Sequence, residues 1–307
     1  MKRKSFTMID LVASIAVAAA LISVAAPLFF KAREASYRYA CTNNLKQSGV
    51  AWSNHQSMLG KLPSAGNYSF PTIQFKSGVP AIANEQHAGW GYQILPYIGE
   101  EWIWKGGDMI DALARNDLIE SRSIKMFACP SRRIDALHAN NLTHLKLFAP
   151  WCPGIDYAAN LGNSYQQEIG EDANGWFFDT RIYLNGVTRP IFAGGSLTLV
   201  EITDGLSNTL LVGDKSLNLN YLGQSQIDDD CGYYDGYDWD VLRLTSIKPN
   251  KDVSVGDCRT VGNLNFGSSH SVGYQSAFAD CSVRTISYFA QLKFLNNIGS
   301  VSQRISD

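Results

Sequence analysis

The sequence lacks the residue patterns that define several classes of enzyme and binding protein. Its six cysteines include no Cys-x-x-Cys pair, so a zinc ribbon and a thioredoxin-like redox site have no support. Its five histidines form no His-Glu-x-x-His pattern, and no serine or cysteine stands at the recognisable spacing of a catalytic nucleophile. Charged residues make up 18% of the chain, and the net charge of −2 leaves no basic stripe for nucleic acid. We therefore expect neither an enzyme nor a nucleic-acid-binding protein.

Internal repeats and low-complexity tracts are also missing. The chain has 307 residues, of which 45% are hydrophobic, and this composition is sufficient for a packed core. When the apolar N-terminal segment is set aside, about 275 residues remain, which is large for one domain. We expect a single head with insertions, or two lobes that share one helix.

Charge is scarcest near the N-terminus. The 25 residues from Phe6 to Phe30 contain one charged side chain, Asp10, and they follow a basic run at residues 2–4. A bilayer core of about 30 Å needs roughly 20 apolar residues at about 1.5 Å each, so the segment is long enough to span a membrane. The basic run is expected to stay in the cytoplasm. The sequence thus predicts a single-pass inner-membrane protein whose remaining residues are extracytoplasmic.

Three interpretations fit this apolar segment. A cleaved secretory signal has a short apolar core and a small-residue cleavage site, which Ala16-Val17-Ala18 could supply. A simple membrane anchor needs only length and low polarity. A type IV prepilin has a short basic leader, followed by Phe-Thr-Leu-Ile-Glu-Leu that runs directly into an apolar helix. Residues 4–11 read Lys-Ser-Phe-Thr-Met-Ile-Asp-Leu, so the segment resembles a prepilin N-terminus, and we favour that interpretation.

The resemblance to prepilins implies roles for individual residues. Residues 1–5 would be the leader, cut by a prepilin peptidase between Ser5 and Phe6, although prepilins carry glycine at the position of Ser5. Asp10 stands in place of the glutamate that, in pilins, meets the N-terminal amine of a neighbouring subunit. A carboxylate in hydrocarbon costs about 2.5–3.5 kcal/mol, so we expect Asp10 to serve assembly. Pro27 matches a proline that bends many pilin helices, because proline removes one backbone hydrogen bond.

Proline and glycine are rare in the segment that follows. Residues 31–59 contain no proline and one glycine, and apolar or small residues recur along one helical face. Gly60 and Pro63 end the pattern, because glycine tolerates left-handed termination and proline cannot continue a helix. The sequence thus predicts one helix of about 50 residues, apolar over 6–30 and amphipathic over 31–59.

The remainder of the chain indicates an α+β head formed by residues 31–307. A helical segment is predicted at 108–121, and a strand with a following turn at Phe127–Ser131. Short runs bounded by turn residues predict further strands. These runs are Trp176–Phe178, Leu197–Ile202, Thr209–Val212 and Val241–Leu244. Alternation on either side of Asp280-Cys281 predicts a hairpin over 273–288, so we expect a long helix packed on a mainly antiparallel, type IV pilin-like head.

Six short motifs occur in order along the chain. They are Cys41-Thr-Asn-Asn-Leu-Lys-Gln47, Gly89-Trp-Gly-Tyr-Gln-Ile-Leu-Pro-Tyr97, Phe127-Ala-Cys-Pro-Ser131, Ile202-Thr-Asp-Gly-Leu-Ser-Asn-Thr209, the Asp-rich residues 228–240, and Phe266-Gly-Ser-Ser-His270. On these motifs the chain resembles a large planctomycete family of prepilin-like proteins, a domain of unknown function once filed with bacterial solute-binding proteins. This resemblance implies a pilin-like membrane helix and an extracytoplasmic head.

The family often ends in a motif of His, nine residues, Asp and Gly. His270 and Asp280 match it, whereas Cys281 replaces the glycine. Cysteine in a left-handed turn position costs on the order of 1 kcal/mol, so we expect either a different turn or a disulfide there. His270 and Asp280 need not touch across a hairpin arm, and we assign them structural hydrogen bonds rather than acid–base chemistry.

The acidic segment, residues 228–240, contains six carboxylates and no lysine or arginine. They are Asp228, Asp229, Asp230, Asp235, Asp238 and Asp240. Calcium takes about six to eight oxygen ligands, and carboxylates this dense repel one another unless they are solvated or neutralised. The spacing of an EF-hand is absent. A solvated acidic loop and a structural Ca²⁺ site are therefore both open.

The cysteines are even in number in a chain that we expect to be exported, and exported compartments favour disulfides. Cys41 and Cys129 both fall inside motifs shared with the family. Cys41 lies on the head-facing part of the predicted helix, and Cys129 ends a predicted strand that can approach it. We predict a bridge between these two, and Cys231–Cys258 is our preference among the other four.

We expect the protein to act by self-association, as a pilin-like or pseudopilin-like subunit of a type IV pilus or type II secretion-type filament. Its partners would be further copies of itself, a prepilin peptidase and an assembly platform, and it would reach the cell surface when assembled. The alternative is a membrane-tethered extracytoplasmic protein that binds sugars or other ligands and never polymerises. The size of the head and its tryptophans favour this alternative: Trp90, Trp102, Trp104, Trp151, Trp176 and Trp239.

Overall fold

The structure is a computed structural model. The residues that it describes are 8–67, 71–133, 137–139, 151–163, 169–171, 177–179, 185–224, 226, 228–230, 232–254 and 264–302. At 137–139, 151–152, 169–171, 177–179 and 193 the description is limited to the backbone. The predictions for Ser5, Phe6, Trp176, Cys231 and Cys258 lie outside the described residues.

One long helix, α1, covers Met8–Leu59 and is about 78 Å long at about 1.5 Å per residue. Its buried side chains all lie in the second half, beginning at Cys41 and ending at His55. The helix ends at Gly60, which has a φ of +73° and donates its N–H to Gln56 O at 2.8 Å. The predicted long helix is confirmed, and its end follows from the left-handed backbone that glycine adopts without steric cost.

The head also contains shorter helices and two-stranded ladders. The helices are α2 (Trp90–Gln93), α3 (Glu101–Trp104), α4 (Ala112–Glu120) and α5 (Leu292–Gly299). The two-stranded ladders are β1 (Phe75–Lys76) with β2 (Val79–Pro80), β3 (Leu137–Ala139) with β4 (Trp151–Pro153), β6 (Ile169–Glu171) with β7 (Phe177–Asp179), and β10 (Asn250–Lys251) with β11 (Gly267–Ser268). Helix α4 lies in the predicted 108–121 segment and is capped by Asp111, whose carboxylate accepts the N–H groups of Leu113 and Ala114.

A five-stranded sheet forms the centre of the head. Its strands are β5 (Tyr157–Gly162), β8 (Leu210–Asp214), β9 (Leu242–Leu244), β12 (Gly273–Phe278) and β13 (Val283–Ser287), in the order β13-β12-β8-β5-β9. The pairings are antiparallel except for β5 with β9, which is parallel. All residues of β5, β8, β9 and β12 are buried. Helix α1 contacts the sheet through β12, β8 and β13, and α5 contacts β5. The head is therefore α+β, with a mainly antiparallel sheet.

Aromatic rings join α1 to the rest of the core. The ring of Trp52, on α1, lies 5.9 Å from that of Trp90, which lies 5.7 Å from Phe127. Phe127 stacks in turn on Tyr233 at 5.7 Å. The indole N–H of Trp90 donates to Val241 O at 2.9 Å, so this buried donor keeps a partner. The same rings that fill the core also fasten the helix to it.

The predicted hairpin over 273–288 is confirmed, whereas two predicted strands are wrong. Strands β12 and β13 pair with Ala277 opposite Val283. Cys281 in the turn adopts a left-handed φ of +62° and its thiol is free, so it is not held by the disulfide that was one of the two alternatives expected there. Residues 127–131 instead follow a 3₁₀ turn at Lys125–Phe127, and Leu197–Ile202 contains a 3₁₀ turn at Leu199–Glu201. Both runs are short and mostly apolar, and a run of that kind fits a strand or a turn equally well.

A different hydrogen bond stabilises the turn at each of these two sites. At the first turn, the carbonyl of Phe127 accepts the N–H of Asp156 at 2.8 Å. At the second, the carboxylate of Glu201 accepts the backbone N–H of Thr198 at 2.7 Å, which favours a turn over an extended strand.

Candidate functional site: the N-terminal helix and its junction with the head

The first half of α1, residues 8–30, is not covered by the head. An 18-residue window within it has a mean hydropathy of 2.4, and none of that window is buried. Side chains as large as Leu21, Phe29 and Phe30 are 64–66% exposed. Among the described residues, α1 is the one helix whose length and composition allow it to cross a membrane. This single N-terminal segment fits a membrane anchor.

Two residues that were predicted to serve assembly lie in this exposed half. Asp10 is in the first turn of the described helix and is exposed. Pro27 lies inside the helix, which continues on both sides of it. The processing site at Ser5 and Phe6 remains a prediction.

A second feature lies where α1 meets the head, and we call Cys41, Cys129 and His270 the junction cluster. Cys41 Sγ is 2.7 Å from Cys129 Sγ, and Cys129 Sγ is 3.7 Å from His270 Nε2. All three residues are completely buried, and both thiols are free. The structure thus brings Cys41 to Cys129, as predicted, and the bridge between them remains a prediction. The approach of His270 was not predicted.

Backbone hydrogen bonds hold the two head residues of the cluster in place. The N–H of Cys129 donates to the Asp156 carboxylate at 2.6 Å. The N–H of His270 donates to Ser268 Oγ at 3.1 Å, and its carbonyl accepts the Tyr288 hydroxyl at 2.8 Å. Cys41 is positioned by α1 itself, so the cluster forms only when the helix lies against the sheet.

Two further residues, missed by the sequence reasoning, complete the surroundings of His270. Its Nδ1 atom lies 2.7 Å from Glu34 Oε1, and the Ser131 hydroxyl donates to Glu34 Oε2 at 3.0 Å. Glu34 precedes Cys41 by seven residues, which places both on one face of α1. That spacing was the available signal for Glu34, and for Ser131 the signal was its place in the motif Phe127–Ser131.

Burial and neighbouring groups shift the pKa values in the cluster. Burial alone would lower the pKa of His270, but the Cys129 side chain, the Asp214 charge and the Glu34 carboxylate together raise it to about 9. The hydrogen bond with Cys41 raises the pKa of the Cys129 thiol well above its usual range, and burial adds to that effect. Burial also raises the pKa of Asp214 to about 6, against the opposing charge of His270. Without a bound cation, the protein environment therefore favours the neutral form of the Cys129 thiol.

Asp280, the second residue of the motif that begins at His270, contacts other parts of the head. The Asp280 carboxylate accepts the N–H of Ser282 at 2.9 Å and lies 3.8 Å from Arg284 within the hairpin. His270 contacts α1 instead, through Glu34. His270 and Asp280 thus match the spacing of the motif, but their side chains make contacts in two different parts of the head.

A buried ion network lies beside the junction cluster. It pairs four bases with four carboxylates: Arg132, Arg133, Lys215 and Arg243 with Asp156, Asp228, Asp229 and Asp252. The side chains in these pairs are at most 8% exposed. Charges removed from water in this way are tolerable only when each has close partners.

The solvated loop expected for the acidic segment is wrong. Asp228, Asp229, Asp235 and Asp240 are at most 4% exposed. Asp228 pairs with Arg243 at 2.8 Å, and Asp229 pairs with Arg133 at 2.5 Å, so bases from distant parts of the chain neutralise them.

Other carboxylates of the segment have further roles. The carboxylate of Asp240 accepts the N–H groups of Asp230 and Gly232 at 3.1 and 2.8 Å. Burial, followed by the charges of Asp240, Asp238 and Asp235, raises the pKa of Asp230 to about 10. A Ca²⁺ ion at this segment remains a prediction, and Asp228 and Asp229 already have cationic partners there.

Comparison with known proteins adds one match. A family model, SBP_bac_10, described as a protein of unknown function (DUF1559), matches residues 30–292. No curated protein and no solved structure matches the chain. The matched region includes the junction cluster and the whole acidic segment, and it begins where the exposed apolar half of α1 ends.

Proposed function

The chain belongs to the DUF1559 family, and we propose that it is a membrane-anchored, pilin-like subunit that acts by self-assembly. The observation that carries the proposal is the division of α1 into two halves. Residues 8–30 are exposed and apolar, while the half from Cys41 onward is part of the core of the head. A rigid element of this kind links the head to whatever covers the apolar half.

Removal of the apolar side chains of residues 8–30 from water is energetically favourable. Burying one large aliphatic or aromatic side chain contributes about 1.5–3 kcal/mol relative to leaving it in water. This half exposes many such side chains, including Leu21, Ile22 and Phe29 at 64–66%. Either lipid or identical helices from other subunits would remove them from water, and the same helix is suited to both environments in turn.

Asp10 favours assembly over simple anchoring. It is the one charged residue in an apolar run of 25, and a membrane anchor has no use for a carboxylate at that depth. In a filament, Asp10 would meet the N-terminal amine of a neighbouring subunit once a prepilin peptidase has cut between Ser5 and Phe6. An assembly platform in the inner membrane would then move the subunit toward the cell surface.

The alternative, a tethered ligand-binding protein, has less support from the head. Trp90 was among the tryptophans that favoured it, yet its ring is buried against Trp52 and Phe127. A groove of about 550 Å³ lies along α1 and β12, and no tryptophan lines it. Its lining residues are Ala35, Arg38, Tyr39, Thr42, Val272, Gln275, Val283 and Thr285.

Assembly is tested with the full chain, carrying a C-terminal tag, in cells that contain a pilus or secretion-type assembly system. Surface fractions are sheared off, examined by electron microscopy and probed for the tag. We expect tagged filaments for the native chain, none for Asp10→Ala, and filaments for Ser14→Ala, a polar-to-apolar control one turn further along the same exposed helix. Filament incorporation of Asp10→Ala at the native level would refute the role of Asp10. Native protein found solely as membrane-bound monomer would favour the tethered alternative.

A further inference from the structure

The junction cluster places three metal-binding side chains around one point. The Sγ atoms of Cys41 and Cys129 and a ring nitrogen of His270 all lie within 4.8 Å of one another. The three residues come from α1, from the turn before β3 and from the loop after β11. Among the described residues, no other group of three histidine, cysteine or acidic side chains meets this criterion.

The distances suit a tetrahedral metal ion after a small movement. With Zn–S bonds of about 2.3 Å and Zn–N bonds of about 2.0 Å, tetrahedral angles separate sulfur from nitrogen by about 3.5 Å and two sulfurs by about 3.8 Å. The distance from Cys129 Sγ to His270 Nε2 is 3.7 Å. The two sulfurs, at 2.7 Å, would have to separate by about 1 Å. They would need to approach by a smaller distance, to about 2.05 Å, to form a disulfide.

His270 distinguishes a metal site from a simple bridge. Its Nδ1 atom faces the Glu34 carboxylate at 2.7 Å, so Nδ1 keeps its proton when a metal ion displaces the proton on Nε2, and the Nε2 lone pair then faces the sulfurs. The Ser131 hydroxyl binds the second oxygen of Glu34 at 3.0 Å and orients it. A carboxylate on the remote nitrogen of a histidine is the usual outer contact of a metal-bound imidazole. A disulfide between Cys41 and Cys129 would not require an imidazole held in this orientation.

We propose that Cys41, Cys129 and His270, when both thiols are reduced, bind one thiophilic metal ion of the Zn²⁺ or Cu⁺ class. Thiolate and imidazole are the ligands such ions prefer, whereas Ca²⁺ requires oxygen. The bound ion would join α1 to two separate segments of the head. Metal binding and a Cys41–Cys129 disulfide are alternative states of the same two sulfurs. The proposal does not depend on filament assembly.

Co²⁺ tests the site, because it takes the place of Zn²⁺ and gives a thiolate-to-metal absorption band. The detergent-solubilised full chain is fully reduced, freed of reductant and titrated with Co²⁺ under nitrogen. We expect one Co²⁺ per chain, with a band that Zn²⁺ removes. Cys41→Ser and Cys129→Ser should lose the band, whereas Cys281→Ser should keep it. Cys281 is the matched control, because it is a free thiol of the same head whose Sγ contacts Gly49 O and not the cluster.

Glu34→Gln gives a readout that does not require removal of a ligand. Glu34 is 40% exposed, so this variant should fold, and loss of the outer carboxylate should weaken Co²⁺ binding by about 10–100-fold. Reduced native protein without a band, a band unchanged in Cys41→Ser and Cys129→Ser, or unchanged affinity in Glu34→Gln would each overturn the proposal.

Discussion

Asp156 is the residue of the buried ion network whose loss should cost most. Its carboxylate lies 3.1 Å from Arg132 and 2.8 Å from Arg133, and it accepts the N–H of Cys129 at 2.6 Å. In Asp156→Ala, both guanidinium groups keep one other carboxylate each, Asp252 and Asp229, and the network retains one uncompensated positive charge. The N–H of Cys129 also loses its acceptor.

The expected cost follows from these contacts. Removing one partner of a buried ion pair costs about 3–5 kcal/mol, and this range already includes much of the penalty for unsatisfied neighbours. At about 2–4 °C per kcal/mol, the unfolding midpoint should fall by roughly 6–20 °C. Asp156→Asn keeps an acceptor oxygen of similar shape for Cys129 and should lie between the native chain and Asp156→Ala.

Thermal unfolding is followed by near-ultraviolet circular dichroism of the full chain in detergent, since the aromatic core reports on the head. Lys76→Ala is the control, because the Lys76–Glu85 pair is about 60% exposed, and such pairs contribute between about 0 and 1 kcal/mol. If Asp156→Ala unfolds within about 2 °C of the control, the network does not hold the head together, and the reasoning from burial is wrong.

Three further predictions concern processing, cysteine pairing and calcium. Mass spectrometry of the mature protein should find Phe6 as its first residue, and a start at residue 17 or later would indicate a cleaved secretory signal. In protein isolated without reductant from an oxidising compartment, peptide mapping should recover Cys41 bridged to Cys129. Closure of a loop of this length contributes roughly 4–5 kcal/mol in the chain-entropy model, and a bridge to any other partner would contradict the pairing. Millimolar Ca²⁺ should raise the unfolding midpoint if the acidic segment binds it, because a ligand that binds only the folded state stabilises that state. An unchanged midpoint would contradict a Ca²⁺ site in this segment.

Helix α1 and the terminal hairpin could be predicted from the sequence because local chemistry determines both. The absence of proline and glycine over most of residues 31–59, and Gly60 after them, define the end of the helix without reference to the rest of the chain. Alternating side chains define the register of β12 with β13, since a shift by one residue would turn every side chain to the opposite face.

The two wrongly predicted strands show where local patterns fail. Residues 127–131 and 197–202 are short apolar runs, and a run of that length fits a strand, a turn or a piece of helix equally well. Contacts with Asp156 at the first site and with Glu201 at the second favour 3₁₀ turns. The first of these contacts joins segments that are far apart in the chain, so no local window contains the information.

The pairing of charged side chains in the head depended still more on tertiary structure. The acidic segment has no base of its own, yet Arg133 and Arg243 neutralise two of its carboxylates inside the core. The sequence by itself determined the long helix and its apolar half, and its family motifs predicted the approach of Cys41 to Cys129, although Cys129 does not end a strand. Only the tertiary structure placed His270 and Glu34 beside those sulfurs, because the positions of side chains from distant segments depend on how helix and sheet pack, and packing is a property of the whole chain.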